Sequence, residues 1–334
     1  MGSFDFNKSD GVNHNMQTKL KKIAFIFPGQ GAQYPTMGKD FLQNFKIAKQ
    51  TFEEADDLLQ LSLSKIIFNG PEELLTQTKN SQLAIYVTST AIVRTILELF
   101  TLKPSICAGL SLGEYTALTA SEHLNFSDTL SLVKHRAHFM NDTCEEIKGT
   151  MAVVLGLTVN DMERIVSQVN LPNDLWIANF NCPGQIVLSG TTKGIEEGSK
   201  AALAGGAKRV LPLQVHGPFH SGLMKKAEDK LSPFIENCSL KSGAAKLVMN
   251  VPGDFVFETE KIKKNLIQQV THSVRWEQGI KKIEEEGVDL YIECGPGKTL
   301  SGMNRKIGVN APTIAIDKIE DLTQIELLIK EGKL

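Results

Sequence analysis

The feature that most limits what this chain can fold into is Gly109-Leu110-Ser111-Leu112-Gly113, a G-x-S-x-G set between the apolar run Pro104–Ala108 and the helix-forming stretch EYTALTA. A strand that ends in a glycine-bracketed serine and turns at once into a helix builds a nucleophile elbow. The glycines admit close backbone contacts, and the serine Oγ is pushed out at the head of a sheet. The pentapeptide alone also suits an ordinary glycine turn with an idle serine, so its weight comes from the strand, turn and helix around it.

The rest of the chain supplies the parts such a turn needs. Ile23–Phe27 is a second buried-strand pattern, and it ends in the glycine loop FPGQGAQ. From Met37 to Leu99 the apolar spacing is mostly helical, with a break at Asn69-Gly70-Pro71, and a further helical segment runs through Leu132, Arg136 and Met140. Between about Thr150 and Leu213 the pattern changes to TMAVVLGL, a helix opened by Thr158 with Asp161 three residues on, LWIANFN, QIVLS, a helix from Gly194 to Ala204, and KRVLPL. That order is βαββαβ, the ferredoxin-like arrangement. After His216 come LVMNV, a helix over Lys261–Gln269, LYIEC and the loop GPGKT. The expected fold is α/β: an α/β-hydrolase-like parallel-sheet body over 21–148 and 214–334, interrupted by a ferredoxin-like small subdomain over 149–213. A cleft between the two is the expected binding site.

Composition narrows the function classes. The 36 Lys+Arg against 38 Asp+Glu leave a formal charge of −2, so no overall basic field draws the chain to nucleic acid or a membrane surface. The five cysteines are odd in number, widely spaced and never in C-x-x-C, which suggests neither a disulfide framework nor a zinc site. No stretch approaches the roughly 20 uninterrupted apolar residues of a spanning helix, and the expected location is the cytoplasm. Residues 1–20 read as a disordered or appended leader, with Met16 a plausible start.

A serine nucleophile requires a base, most often histidine. Of the seven histidines, His14 falls in the leader, and His135 and His138 lie on a helix where a solvated or packed role is ordinary. His220, in the Gly- and Pro-containing loop Val215-His216-Gly217-Pro218-Phe219-His220-Ser221, follows the inserted subdomain and should face the cleft. His216 and His272 compete with it.

Taken together, FPGQGAQ at 27–33, GLSLGEYTAL at 109–118, LVKHR at 132–136, NFNCPGQIVLSG at 179–190, GPFHSGLM at 217–224 and ECGPGKTLSGM at 293–303 resemble, in order, the malonyl-CoA:acyl carrier protein transacylases of fatty acid synthesis and the related acyltransferase domains of polyketide synthases. The likeness runs from Lys22 to about Asp317. It implies an acyl-serine at Ser111, His220 as general base, and the backbone carbonyl of Gln269 as the support for that histidine. It implies an oxyanion hole from the backbone N–H groups of Gln30 and Leu112, and Arg136 as the partner of the malonyl carboxylate. Met140 and Phe219 would line the acyl pocket. No cofactor or metal is implied, since the coenzyme A thioester is a substrate, and the partners are malonyl-CoA and an acyl carrier protein.

Acyl carrier proteins are acidic while this chain is nearly neutral, so local cations must supply the attraction. Lys208 and Arg209 at the end of the inserted subdomain are the candidates, with the nucleotide phosphates as their other possible ligand. One departure stands out: Leu110 occupies a position where most members of the family have histidine, which leaves the Ser111–His220 pair intact but bears on acyl preference and pH dependence. Rival readings are an α/β-hydrolase esterase, a proofreading acyl hydrolase or trans-acting polyketide acyltransferase of the same family, and a non-catalytic carrier-protein docking module. The esterase fits poorly, because its histidine usually lies close to the C-terminus and here more than a hundred residues follow His220.

Overall fold

In the computed structural model residues 21–334 are described; the leader read at 1–20, with His14 and Met16, lies outside the described residues. Ten strands among the described residues form two sheets: β1 Ile23–Phe27, β2 Ile106–Gly109, β3 Thr150–Leu155, β4 Leu175–Cys182, β5 Gln185–Gly190, β6 Arg209–Pro212, β7 Lys246–Met249, β8 Asp254–Val256, β9 Leu290–Cys294 and β10 Thr313–Ile316. The larger sheet has the order β10-β9-β1-β2-β7-β8. All its neighbours run parallel except β8, which is antiparallel to β7. IAFIF is apolar at every position because β1 lies inside the sheet with both faces covered.

Parallel pairing decides where the loops go. In the register Phe27 lies opposite Gly109, so the glycine loop after β1 and the elbow after β2 leave the same end of the sheet, where open α/β sheets form their crevices. The residue after β7, Asn250, leaves at that end too. The helical run expected over Met37–Leu99 divides into Lys39–Asn44, Lys46–Leu59, Leu63–Asn69, Glu72–Thr76 and Thr78–Phe100. Its break falls at Gly70, whose φ of 66° favours glycine. Thr78–Phe100 is long and apolar enough to cross a membrane by length and composition alone, yet 72% of its most apolar window is buried inside the protein.

The smaller sheet is antiparallel, with the order β4-β5-β3-β6. Its side chains alternate with the period of two that strands impose. Ala152, Val154, Ile186 and Leu188 pack under the helices Val159–Val169 and Thr192–Ala204, whereas Met151, Val153 and Val187 join the main core. Thr158 caps the first of these helices as expected, its hydroxyl accepting from the Asp161 N–H at 3.1 Å. β4 is tied to the body by a parallel bridge between Asn179 and Val274, in which Val274 N–H donates to the Ala178 carbonyl at 2.8 Å and Phe180 N–H to that of Val274 at 2.9 Å.

Candidate active site

The elbow forms because its glycines are places where a side chain would collide. A Cβ on Gly109 would overlap the Gly113 carbonyl, and one on Gly113 would overlap the Phe27 carbonyl. Ser111 between them has φ 53°, a left-handed conformation that a non-glycine residue adopts only when its surroundings enforce it. The enforcement is visible: Ser111 N–H donates to Asn250 Oδ1 at 2.7 Å, and Gln269 Nε2 donates to the Ser111 carbonyl at 2.8 Å. Both peptide groups of the strained residue are held by side-chain amides from other elements.

His220, also at positive φ (55°), brings Nε2 within 2.7 Å of Ser111 Oγ. Its Nδ1 lies 2.7 Å from the Gln269 carbonyl oxygen. A carbonyl only accepts, so Nδ1 carries the hydrogen and Nε2 is left to take the serine proton. Burial, and next the nearby positive charge of Arg136, lower the His220 pKa from 6.5 to about 4, so at neutral pH the ring is an unprotonated base. The competitors sit elsewhere. His216 pairs with Glu145 at 2.9 Å, and exposed His272 has Nδ1 2.9 Å from the Gln268 carbonyl.

Arg136, on the helix Phe126–Glu146, is 1% exposed, against the usual solvated state of a helical arginine. Nη1 donates to Gln82 Oε1 at 2.5 Å, and Nη2 donates to Gln269 Oε1 at 2.9 Å and to Ser111 Oγ at 3.1 Å. Its Nε is buried with no partner among the described residues. The guanidinium reaches Ser111 Oγ from the side away from the cleft and is not among the residues lining it.

Above Ser111 lies a cleft of about 290 Å³ between the two sheets, lined by Gln30, Leu110, Met140, Phe219 and His220 of the body and by Met151, Asn179, Asn181 and Val187 of the smaller sheet. The glycine loop presses on the elbow, since a Cβ on Gly29 would overlap the Leu110 carbonyl. Gln30 ties that loop to the helix Thr78–Phe100, donating from Nε2 to Thr78 Oγ1 at 3.2 Å and accepting from Gln82 Nε2 at 3.4 Å. Leu112 precedes the helix Gly113–Ala120, where backbone N–H groups have no intrahelical acceptor. Leu110 stands at the cleft wall. Lys208 and Arg209 are exposed at the start of β6 and do not line the cleft.

Three buried polar residues escaped sequence reasoning. Glu114 is fully buried beside the elbow; Asn250 N–H donates to its Oε1 at 2.6 Å and Gln269 Nε2 to its Oε2 at 2.7 Å. Burial pushes the Glu114 carboxyl up to about 8, against the pull of Asn250, Gln269 and Arg136. Asn250 donates from Nδ2 to the Gly109 carbonyl at 2.7 Å. A carboxylate on an otherwise apolar turn, and a polar residue closing the buried strand LVM, were the available signals. Gln82 offered none, because helix glutamines are usually solvated.

An acyl transferase domain profile matches residues 24–321. The malonyl CoA-acyl carrier protein transacylase of Bacillus subtilis is 43% identical over 315 residues, 94% of this chain and 98% of that protein. The crystal structure of the Clostridium perfringens malonyl CoA-acyl carrier protein transacylase superposes with a TM-score of 0.89 at 36% identity, covering 93% of this chain and 98% of that one. A malonyl-transacylase solved in complex with its type II PKS acyl-carrier protein gives 0.87 at 35% identity over 91% and 98%. With its elbow, its buried arginine and likeness over nearly its whole length, the chain belongs to the malonyl CoA-acyl carrier protein transacylase family of acyl transferases.

Proposed function

We propose that this protein transfers a malonyl group from malonyl-CoA to the phosphopantetheine thiol of an acyl carrier protein by a ping-pong mechanism through acyl-Ser111. The observation that carries this reading is the hydrogen-bonded line from Ser111 Oγ through His220 to the Gln269 carbonyl, with Arg136 donating to the same Oγ. His220 Nε2 takes the serine proton as Oγ attacks the thioester carbonyl. The oxyanion is met by the N–H groups of Leu112 and Gln30, two fixed donors worth on the order of 3 kcal/mol each. Collapse expels the coenzyme A thiolate, which takes the proton from His220. The carrier thiol then enters and attacks the ester carbonyl as His220 takes its proton; the Oγ–acyl bond breaks, and His220 returns the proton to Ser111 Oγ.

Arg136 selects the acyl group. Acylation turns Oγ into an ester oxygen, a poor acceptor, and releases Nη2 toward the malonyl carboxylate three bonds away. The unspent Nε donor adds to a two-pronged grip suited to a carboxylate. Met140 and Phe219 supply apolar walls. The chemistry draws on no cofactor or metal, and we place it in the cytoplasm. Arg209 with Lys208 would attract the acidic carrier at the exposed β6 edge. The strand order of the smaller sheet supports a ferredoxin-like reading of 149–213. The parallel strands and elbow support an α/β-hydrolase-like body over 21–148 and 214–334.

Intact-mass spectrometry after mixing with malonyl-CoA tests the proposal. A malonyl adduct is expected that vanishes in Ser111→Ala. An unlabelled wild type, or coenzyme A release at normal rate by the variant, would refute it.

A further inference from the structure

Glu114 takes no part in the steps above, yet it touches both residues whose side chains hold Ser111. One carboxylate oxygen accepts from the Asn250 backbone N–H and the other from Gln269 Nε2. Asn250 grips the Ser111 N–H and the Gly109 carbonyl, while Gln269 grips the Ser111 carbonyl, Arg136 and, through its own carbonyl, His220. We infer that Glu114 is the positioning residue of this site: once ionised it only accepts, and with the Ser111 carbonyl it sets which way the Gln269 amide points and so aims Arg136 at Ser111.

The argument is one of hydrogen-bond parity. A primary amide has one end that accepts and one that donates, and Gln269 meets Arg136 on one side and Glu114 with the Ser111 carbonyl on the other. Arginine only donates and an ionised carboxylate only accepts, so a single amide orientation satisfies all three neighbours. Reversing it would set Nε2 against the guanidinium and Oε1 against the carboxylate.

Replacing the carboxylate by an amide of the same size, as in Glu114→Gln, breaks the parity. The introduced amide would offer one acceptor to two donors, Asn250 N–H and Gln269 Nε2. If its NH₂ faced Gln269, either two NH₂ groups would oppose each other or the Gln269 amide would reverse, and then Arg136 Nη2 and the Ser111 carbonyl would both lose their partners. If its NH₂ faced Asn250, the Asn250 backbone N–H would lose its acceptor. Either way a buried donor is left unpaired in the network that holds Ser111.

The groups packed around Glu114 make its charge matter. Arg136 approaches from the helix Phe126–Glu146, Tyr115 is next to it on its own helix, and the elements after β7 and β8 present the neutral amides Asn250 and Gln269. Protonation places a hydrogen on an oxygen whose neighbours are already donors, so it weakens the same contacts that Glu114→Gln breaks. Ser111 acylation should therefore rise with pH as the Glu114 carboxyl, held high by burial, ionises.

This inference rests on the acyl-serine reading, and two probes keep the two separate. The first is labelling of Ser111 by a fluorophosphonate, which requires a positioned serine but no thioester. The second is adduct formation from malonyl-CoA and from acetyl-CoA, read by quenched-flow mass spectrometry. Glu114→Gln should slow both serine reactions by roughly 10- to 100-fold, the usual range for partners that orient a reacting group. It should also lower the malonyl-to-acetyl ratio severalfold and flatten the rise with pH. Gln269→Leu, which keeps the backbone carbonyl for His220, should show the same loss of ratio, and the double variant should lose no more than the worse single one. A folded Glu114→Gln protein with wild-type labelling and ratio would overturn the inference. Should that variant not fold, an unchanged malonyl-to-acetyl ratio in Gln269→Leu overturns it instead. Wild-type labelling without any malonyl adduct counts against the functional reading, and the labelling rates then decide the role of Glu114.

Discussion

Truncating Arg136 tests how this site reads its substrate. In Arg136→Ala three hydrogen bonds disappear, to Gln82 Oε1, Gln269 Oε1 and Ser111 Oγ. A malonyl carboxylate carried into the space above Ser111 would then lack its counter-charge. Removing one partner of a buried charge pair costs about 2–5 kcal/mol, so acyl-enzyme formation from malonyl-CoA should fall roughly 30-fold to several thousand-fold. Acetyl-CoA brings no charge. It loses only the donation to Ser111 Oγ, worth about 1.5–3 kcal/mol for a charged donor at most, and that loss is offset because the same arginine depresses the basicity of His220. The malonyl-to-acetyl ratio should therefore drop at least tenfold. Lysine at 136 should restore part of the malonyl rate, keeping the charge but losing the fork. Rapid-quench mass spectrometry with both thioesters, on variants shown by circular dichroism to be folded, gives the ratio directly. Equal losses for the two acyl groups would mean that Arg136 only braces Gln82 and Gln269.

The depressed pKa of His220 has a consequence for stability. Its unfolded value is 6.5 and its folded value about 4, so between these limits the unfolded chain binds the extra proton and stability falls as pH falls, by about 3 kcal/mol in total; urea midpoints at pH 7 and 4 should show this, and His220→Gln should remove that part of the slope. The same substitution should slow acylation at pH 7 by about 10²–10⁴-fold, and a smaller effect would point to another base. Gly113→Ala should destabilise by on the order of 3 kcal/mol, because the methyl has no space beside the Phe27 carbonyl; a thermal melt matching wild type would discredit the elbow packing. Reversing the charge of Lys208 and Arg209 should raise the carrier KM and weaken its salt dependence while leaving adduct formation from malonyl-CoA untouched. If only the coenzyme A half-reaction suffers, the pair serves the nucleotide phosphates.

Sequence alone located what is local. The glycines bracketing Ser111, the apolar runs before Gly29 and Gly109, and the Thr158 cap depend on neighbours within a few residues, and each stands where it was expected. Candidates His220 and Arg136 were reachable too, but composition and spacing left His216 and His272 open and made Arg136 an ordinary surface residue. Family register, not periodicity, singled them out.

Tertiary structure decided the rest, because the selecting contacts join residues far apart in the chain. Ser111 meets His220 across 109 positions, and Asn250 reaches Ser111 across 139. Parallel pairing of β1, β2 and β7 brings those loops to one end of the sheet. Burial then turns an everyday arginine, glutamate and glutamine into a network of paired donors and acceptors around Ser111. Strand periodicity tells which face of a strand is apolar, but not which distant polar group will be buried against it. That pairing is a property of the assembled fold: its burial lowers the His220 pKa and raises that of Glu114, and its contacts hold Arg136 against Ser111.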